Sequence, residues 1–142
     1  MAKTPFHLSI VTPGGRSFDG EVVSLQLPGE DGLIGVWAHH AAMLASMRPG
    51  KLVIEEPNQS EVQKTYAVGA GFAEVSDNNA MLLADTCEAS DDIDVDRAKA
   101  SLARAKERLA QAAQDESIDE DRARAALERA EARIAAGYTR GA

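Results

Sequence analysis

The sequence is poor in residues that build thiol or metal centres, and it has no long apolar run. Its single cysteine, Cys87, cannot form an internal disulfide or supply a thiolate zinc site. The most apolar stretch, residues 33–47, is interrupted by His39 and His40 and is too short to span a bilayer. The N-terminal residues lack the apolar core of a signal peptide. We therefore expect a soluble cytoplasmic protein in which Cys87 is a small, buried or half-buried apolar residue.

Basic residues are also in deficit, with 15 Lys plus Arg against 23 Asp plus Glu and a net charge of −8. Affinity for nucleic acid depends on clustered positive charge that meets phosphates, so a nucleic-acid partner is not expected. The same charge disfavours an anionic membrane surface, and we expect no insertion into a membrane.

Recognisable catalytic patterns are missing as well. The chain has neither a Gly-x-x-x-x-Gly-Lys-Ser/Thr phosphate loop nor a Gly-x-Ser-x-Gly elbow. His39 and His40 are adjacent, so in a strand they point to opposite faces and cannot easily share a metal ion. The neighbouring carboxylates at 55–56 and 91–92 are better explained as solvated charges than as an acid/base pair. We predict no catalytic residue and no metal site.

Residues 1–88 show the pattern of short strands between turns. Residues 21–27 alternate, with Val23, Leu25 and Leu27 on one side, which predicts a single strand. Residues 77–79, Asp-Asn-Asn, predict a hairpin turn. Many short strands with closely spaced turns indicate an antiparallel sandwich or barrel, and we assign residues 1–88 to this β domain.

Residues 89–142 are rich in alanine, arginine and acids, and they predict two helices. Asp94 is a good N-cap for the first helix, Asp119 or Ser117 for the second, and Gly137 is expected to end the second. Apolar residues step by three and four along one narrow face of each helix. These positions are Val95, Ala98, Leu102, Ala105, Leu109 and Ala112, then Ala123, Leu127, Ala130 and Ile134.

The two helices resemble each other, and the short linker between them favours an antiparallel hairpin. When residues 93–110 are aligned with residues 118–135, eleven of the eighteen positions are identical. Two units are too few for a solenoid, and convergence on alanine-rich helices explains much of the match. Each alanine methyl in the seam contributes only about 0.8 kcal/mol on burial, so the hairpin is expected to be weakly held and able to open.

Arginines recur at helical spacing. Arg97, Arg104 and Arg108 lie near one stripe of the first helix, and Arg129 and Arg133 are one turn apart on the second. If the helices pack together, converging guanidinium groups would suit a polyphosphate. The alternative is a solvated face with acidic partners at helical spacing.

The order and spacing of several segments resemble the epsilon subunits of bacterial rotary ATP synthases, the delta subunits of mitochondria. The resemblance covers nearly the whole chain. The matching segments are residues 11–13 (Val-Thr-Pro), 32–44, 48–50 (Arg-Pro-Gly), 68–75 and 83–86. It implies a ten-stranded β-sandwich followed by a two-helix hairpin in a non-catalytic subunit of the central stalk, which couples rotation to catalysis.

The resemblance also implies partners. The loop that contains Gly35, His40, Met43 and Leu44 would contact other subunits, with a gamma subunit and a c-ring as neighbours. The family's usual Gly-His-Ala-Pro is His39-His40-Ala41-Ala42 here, and Leu33 replaces a common acidic residue. Such a subunit would be peripheral, on the inner face of the cell membrane. The alternative is a free-standing β-sandwich interaction module with a helical partner-binding arm.

A narrower motif, Ile/Leu-Asp-x-x-Arg-Ala, occurs at residues 93–98. Some family members with this motif bind ATP in the folded hairpin. In such members, an extended hairpin reaches the catalytic alpha and beta subunits and inhibits ATP hydrolysis. The resemblance therefore implies ATP as a regulatory ligand, no required cofactor, and a set of nucleotide-binding residues. These residues are Glu88, Ile93, Asp94, Arg97, Ala98, Arg104, Arg129 and Arg133.

Overall fold

The computed structural model describes residues 3–58 and 63–138, in which ten strands precede two helices. The strands are β1 Phe6–Thr12, β2 Gly15–Val22, β3 Ser24–Gly29, β4 Gly32–Val36, β5 Met43–Met47, β6 Gly50–Glu55, β7 Gln63–Val68, β8 Gly71–Ser76, β9 Asn79–Ala84 and β10 Cys87–Ala89. A 3₁₀ turn, Ser90–Asp92, leads into α1 Val95–Ala112, and α2 Glu120–Gly137 follows. The fold predicted from the sequence, about ten strands and then two helices, is confirmed.

The strands form one continuous hydrogen-bonded sheet in the order β10-β7-β6-β3-β5-β8-β9-β1-β2, with β4 on β3. Neighbouring strands in this order run antiparallel, except that β1 and β9 run parallel. Alternation along a strand indicates which side chains share a face, but it carries no information on the direction of the neighbouring strand. The parallel pair therefore could not be foreseen.

The core lies between the folded layers of this sheet and contains the inward-facing residues of most strands. The large side chains that are fully buried there are Leu8, Ile10, Leu25, Leu27, Leu52, Ile54, Leu82, Val22, Val36 and Val68.

The prediction of one strand over residues 21–27 is wrong, because β2 ends at Val22 and β3 begins at Ser24. Val22 and Val23 are both buried, and a continuous strand cannot bury two consecutive side chains on one face.

The turn between β8 and β9 confirms the predicted hairpin. Ser76 and Asn79 form the closing pair, which leaves a two-residue loop. Asp77 and Asn78 have φ angles of 49° and 62°. Positive φ at both loop residues is the type I′ geometry, which asparagine and aspartate tolerate and which matches the twist of the flanking strands.

Both helices begin as the sequence predicts. Asp94 accepts a hydrogen bond from the Arg97 backbone N–H at 3.0 Å, and Asp119 accepts one from the Arg122 backbone N–H at 3.1 Å. Gly137 is the last residue of α2 but does not adopt the left-handed conformation of a glycine cap. A Cβ atom at Gly137 would lie 2.6 Å from Val95 Cγ2, so this glycine instead lets the end of α2 approach the start of α1.

A buried carboxylate ties the start of the chain to the sheet. Glu55 is 6% exposed, and Lys3 Nζ donates to its two carboxylate oxygens at 2.9 and 3.0 Å. Ser24 Oγ donates to the same group at 3.2 Å. The hydrogen bond from Lys3, more than any other contact, holds the pKa of Glu55 below its usual value.

We expect Lys3→Met to destabilise the protein at neutral pH but not at strongly acidic pH. A carboxyl group whose pKa is lower in the folded state stabilises that state above its unfolded pKa. The stabilisation is lost as the pH falls through the folded pKa. Urea unfolding at pH 7 and below pH 3 measures the difference, and Lys51→Met, at an exposed lysine of β6, is the control. A deficit that stays constant across this range would contradict the assignment.

Candidate functional site

A cleft of about 1080 Å³ separates the helices from one edge of the sheet. Its floor consists of residues from β7, β10 and the segment before β10, and its walls come from α1 and α2. The lining residues are Ala67, Val68, Thr86, Cys87, Glu88, Ser101, Arg104, Ala105, Arg108, Gln111, Ser117, Ile118, Asp119, Arg122, Ala123, Ala126, Arg129, Ala130, Ala132 and Arg133. The volume exceeds what a drug-sized ligand usually occupies, about 300–1,000 Å³.

Helical periodicity explains why these residues share the cleft. On α1, the lining positions 101, 104, 108 and 111 step by three and four residues, and so do the N-cap Asp119 and positions 122, 126, 129 and 133 of α2. Such steps keep side chains on one face of a helix. Alanines at the seam, among them Ala105 and Ala130, are buried and let the two backbones approach. The longer arginines beside them extend into the cleft.

The cleft is strongly basic in a protein that is acidic overall. Five arginines line it, at positions 104, 108, 122, 129 and 133, against two carboxylates, Glu88 and Asp119. Counted as formal charges, the lining carries +5 and −2, a net charge of +3. A concave surface with this charge attracts anions, and guanidinium groups present forked donors that match phosphate oxygens.

Glu88 and Arg133 join the sheet to the hairpin across the cleft. Arg133 Nε donates to Glu88 Oε1 at 2.8 Å, and Arg133 Nη2 donates to Glu88 Oε2 at 3.3 Å. The pair lies between β10 and α2 and keeps partial contact with solvent, with side-chain exposures of 35% and 29%. Its two-pronged geometry fixes the guanidinium plane of Arg133 at the inner end of the cleft.

Half of the predicted nucleotide-binding residues meet in this cleft. Glu88, Arg104, Arg129 and Arg133 line it. Arg104 Nη2 also donates to Ser101 Oγ at 3.0 Å. Among the described residues, the guanidinium of Arg129 has no hydrogen-bond or ion-pair partner, so it is available to an anion.

The other half lies outside the cleft. Asp94 caps α1, and Arg97 is exposed beside it. Ile93 is buried against Ala67 and Ala136, and Ala98 is buried at the helix seam. None of these four residues lines the cleft.

Two lining arginines were not assigned to the site from the sequence. Arg108 belongs to the arginine stripe predicted on α1, whereas Arg122 belongs to neither predicted stripe. The signal that could have found Arg122 is the internal repeat, in which residues 118–123, Ile-Asp-Glu-Asp-Arg-Ala, repeat the pattern of residues 93–98.

The thiol of Cys87 lies in the same cleft, half-buried as the sequence predicts. Burial raises the pKa of this thiol to about 11, against a weaker opposing effect from a hydrogen bond with Ser17. A thiol with this pKa is protonated at neutral pH and is a poor nucleophile. Within residues 3–58 and 63–138, no group of three or more His, Cys, Asp or Glu side chains could hold a metal ion.

The predicted partner-binding residues lie on β4, β5 and the turn between them. Leu44 is 75% exposed, whereas Met43 packs partly against the core. His40 is half-buried, with its Nδ1 atom 2.7 Å from the Ala41 carbonyl oxygen. Gly35 is half-buried in β4, and a Cβ atom there would meet the ring of Trp37 at 2.8 Å.

An apolar outer face extends from Leu44 across β5, β8 and β9. Phe72 and Leu83 are cross-strand partners, and Leu44 and Met81 both pair with Glu74, so all four apolar side chains share one side of the sheet. Each is about half exposed or more. Leu33 joins Leu44 in a groove of about 410 Å³ at one end of this face. Clustered exposed apolar side chains are typical of a surface that another protein covers.

Comparison with known families matches both halves of the chain. Residues 5–90 match the model "ATP synthase, Delta/Epsilon chain, beta-sandwich domain", and residues 91–137 match "ATP synthase, Delta/Epsilon chain, long alpha-helix domain". An ATP synthase epsilon chain from Protochlamydia amoebophila is 43% identical over 104 residues, which are 73% of this chain and 69% of that one. The epsilon chain of Desulfitobacterium hafniense is 43% identical over 111 residues, 78% of this chain and 81% of that one.

Solved structures show the same fold. A chain of the Euglena gracilis mitochondrial ATP synthase, in an assembly of OSCP, F1 and c-ring, superposes with a TM-score of 0.81 and 21% identity. The match covers 96% of this chain and 83% of the other.

Neither described helix is long and apolar enough to cross a membrane. By its family matches, the chain belongs to the delta/epsilon family of ATP synthase subunits and is an epsilon-type, non-catalytic subunit of that complex.

Proposed function

We propose that this subunit couples rotation to catalysis in the central stalk and that its hairpin regulates ATP hydrolysis in response to ATP. The sandwich would bind a gamma subunit and face the c-ring, at the inner surface of the cell membrane. The hairpin would inhibit hydrolysis when it extends toward the catalytic alpha and beta subunits. The observation that carries the regulatory part is the arginine-lined cleft between the sheet and the hairpin.

ATP in this cleft would hold the hairpin in its folded form. Arg104, Arg129 and Arg133 are positioned to contact phosphate oxygens, and Glu88 already accepts hydrogen bonds from Arg133. Because the walls of the cleft come from both helices and its floor from the sheet, an extended hairpin would no longer form it. A ligand that binds only the folded form stabilises that form by about 2.7 kcal/mol at a hundredfold excess over its Kd.

A stabilisation of this size is large enough to shift the hairpin between its folded and extended forms. The seam between α1 and α2 buries mainly alanines, namely Ala98, Ala105, Ala123 and Ala130. Each methyl contributes about 0.8 kcal/mol on burial. A ligand contribution of about 2.7 kcal/mol is therefore comparable with the packing energy of the seam, and a ligand with that differential affinity can redistribute two forms that lie within a few kcal/mol.

Titration of the purified protein with ATP, followed by calorimetry and by amide hydrogen exchange of α2, tests the regulatory proposal. ATP should bind with saturation and should slow exchange in both helices. ADP and AMP serve as comparison ligands. No heat signal at millimolar ATP, together with unchanged exchange, would refute ATP as the ligand and leave regulation to the hairpin's own equilibrium.

Gamma binding is assigned to the apolar outer face, and Phe72→Glu on that face is expected to weaken it about 30-fold or more. Removal of a buried aromatic side chain at the centre of an interface commonly weakens the binding free energy by about 2 kcal/mol or more. A carboxylate in its place must also lose its hydration. Tyr138→Glu is the matched control, since Tyr138 and Phe72 are both 56% exposed but Tyr138 lies at the end of the hairpin.

Co-purification with a gamma-type subunit measures this effect, with thermal unfolding to confirm that each variant is folded. Equal weakening by both substitutions would place the contact elsewhere. If the wild-type chain fails to bind any gamma subunit, the alternative of a free-standing interaction module with a helical arm gains support.

A further inference from the structure

The loop between β4 and β5 contains a tight turn whose backbone conformation is unfavourable for its sequence. His40 N–H donates to the Trp37 carbonyl oxygen at 3.3 Å, so residues 37–40 form a β-turn. His39, the third residue of this turn, has a φ angle of 63°, in the left-handed region. Positive φ at the third residue is the geometry of a type II turn, where glycine is preferred. A histidine in this conformation persists only where the surrounding structure holds it.

The side-chain amide of Asn78, in the loop between β8 and β9, holds this turn from outside. Asn78 Oδ1 accepts the His39 backbone N–H at 2.8 Å, and Asn78 Nδ2 donates to the Pro5 carbonyl oxygen at 3.2 Å. Because one neighbour is a donor and the other an acceptor, only one orientation of the amide satisfies both. The amide therefore joins the turn to the segment that precedes β1.

The backbone of Asn78 is itself well fixed. His7 N–H donates to the Asn78 carbonyl oxygen at 3.2 Å, and Asn79 Nδ2 donates to the Asp77 carbonyl oxygen at 2.8 Å. Asn78 is half-buried, whereas Asp77, the other residue of the two-residue loop, is exposed. A side chain that starts from an ordered backbone loses less conformational entropy when it forms hydrogen bonds, so Asn78 is a suitable support for the turn.

The turn determines where two candidate interface side chains lie. Trp37 is 60% exposed although its ring lies against β4, where a Cβ atom at Gly35 would come within 2.8 Å of that ring. His40, at the other end of the turn, is half-buried. Tryptophan is enriched among the residues that contribute most to binding at protein interfaces. The positions of Trp37 and His40 relative to each other depend on the conformation of His39 between them.

We propose that Asn78 is a positioning residue, whose side-chain amide holds the turn at residues 37–40 in the conformation that meets the c-ring. The inference rests on the proposed function, in which the sandwich faces the c-ring. Asn78 acts through the His39 backbone N–H. Without this hydrogen bond, His39 leaves the left-handed region for part of the time. The binding conformation is then less populated, and the apparent affinity for the partner falls in proportion.

The test compares binding of the full-length protein to a purified gamma-type subunit and to a complex of gamma with the c-ring. Asn78→Gly removes the amide but preserves the β8–β9 loop, since glycine readily adopts positive φ. We expect this variant to bind the gamma–c-ring complex about threefold to tenfold more weakly than wild type, as for the loss of one hydrogen bond between neutral groups. Binding to gamma alone should not change, because gamma is assigned to the apolar outer face.

Asp77→Gly is the matched control for Asn78→Gly. Asp77 is the neighbouring residue of the same loop and also has a positive φ, 49°. Its side chain forms no hydrogen bond or ion pair within the part of the chain that the structure describes. Asp77→Gly is therefore expected to bind both partners as wild type does.

Two further variants locate the effect in the bond to His39. Asn78→Asp keeps an oxygen that accepts the His39 N–H but loses the donor to Pro5, so it should bind the gamma–c-ring complex more tightly than Asn78→Gly does. His39→Gly in the Asn78→Gly background should restore most of the affinity, because glycine needs no support in this conformation. NMR exchange of the His39 amide proton measures the bond without a partner, and we expect it to be several-fold faster in Asn78→Gly than in Asp77→Gly.

The outcomes separate this inference from the proposed function. Suppose that wild type gains affinity from the c-ring. Wild-type binding by Asn78→Gly then overturns the role of Asn78 alone, and so does equal weakening toward gamma with and without the c-ring, which would indicate damage to the sandwich. A His39→Gly/Asn78→Gly variant as weak as Asn78→Gly also overturns it, since Asn78 would then act through another contact. If wild type binds gamma equally well with and without the c-ring, the c-ring contact in the proposed function is refuted and this inference fails with it.

Discussion

Replacement of Ile93 by alanine is expected to release the hairpin from the sandwich while the sandwich stays folded. Ile93 is 1% exposed and packs against Ala67 of β7 and Ala136 of α2, with Val95 at its edge. Among the residues that the structure describes, it is the one large aliphatic side chain that is fully buried at this joint. Truncation of a buried isoleucine to alanine costs about 2–5 kcal/mol. At 1.4 kcal/mol per tenfold, the docked population would fall by roughly 30-fold to several thousandfold.

The close packing around Ile93 supports a large loss of docking in Ile93→Ala. Gly137 approaches the same joint so closely that a Cβ atom there would lie 3.2 Å from Ile93 Cγ2. A cavity left by the isoleucine is therefore bounded by backbone on the α2 side, which relaxes less readily than side chains do. Elsewhere along the hairpin, up to residue 138, the buried side chains are alanines, whose individual contributions are smaller.

Amide hydrogen exchange measures the release, because an undocked pair of short helices is marginally stable in water and exchanges quickly. Faster exchange is expected throughout α1 and α2, with unchanged protection in β1, β8 and β9. Ile118→Ala is a control at the equivalent position of the second motif copy, where the side chain is only half-buried. Wild-type protection of α2 in Ile93→Ala would show that the hairpin is held by other contacts.

The sequence predicted the elements of the hairpin well because local rules govern them. Asp94 and Asp119 act as caps, and Ala98, Ala105, Ala123 and Ala130 are buried on the predicted faces. A second buried face of α2 was not predicted. Ala132 and Ala136 are buried because α2 also packs against β6 and β7, a contact between residues far apart in the sequence.

The candidate site was predicted only in part for a related reason. Spacing places Arg97 and Arg104 on nearly the same face of α1, since seven residues are almost two turns. The spacing of residues along a helix gives no information on which turns of that helix face the edge of the sheet. The cleft begins beyond Arg97 and continues to Arg108 and Arg122, so the axial position of the helix against the sheet decides which arginines line it.

Replacement of Arg133 by alanine is expected to weaken ATP binding by about 10- to 150-fold, which corresponds to the 1.5–3 kcal/mol of a hydrogen bond to a charged group. Arg133 is the guanidinium that Glu88 holds in a fixed orientation at the inner end of the cleft. Arg97→Ala should have a smaller effect, because Arg97 does not line the cleft in the folded form. Arg133→Lys keeps the charge but loses the fork, so an intermediate affinity is expected.

The loss in Arg133→Ala could arise in two ways that a second substitution separates. Removal of Arg133 deletes a donor to phosphate and also leaves the Glu88 carboxylate without its partner, where it would repel an anionic ligand. If repulsion dominates, Glu88→Gln in the Arg133→Ala background should restore most of the affinity; if the lost donor dominates, the double variant should stay as weak as Arg133→Ala. Calorimetric titration of both variants at two salt concentrations measures the balance, since screening by salt reduces repulsion from a partly exposed carboxylate. Arg124→Ala is the control, because Arg124 is exposed on α2, pairs with Glu120 and does not line the cleft. An Arg133→Ala isotherm equal to that of Arg124→Ala at both concentrations would remove Arg133 from the site.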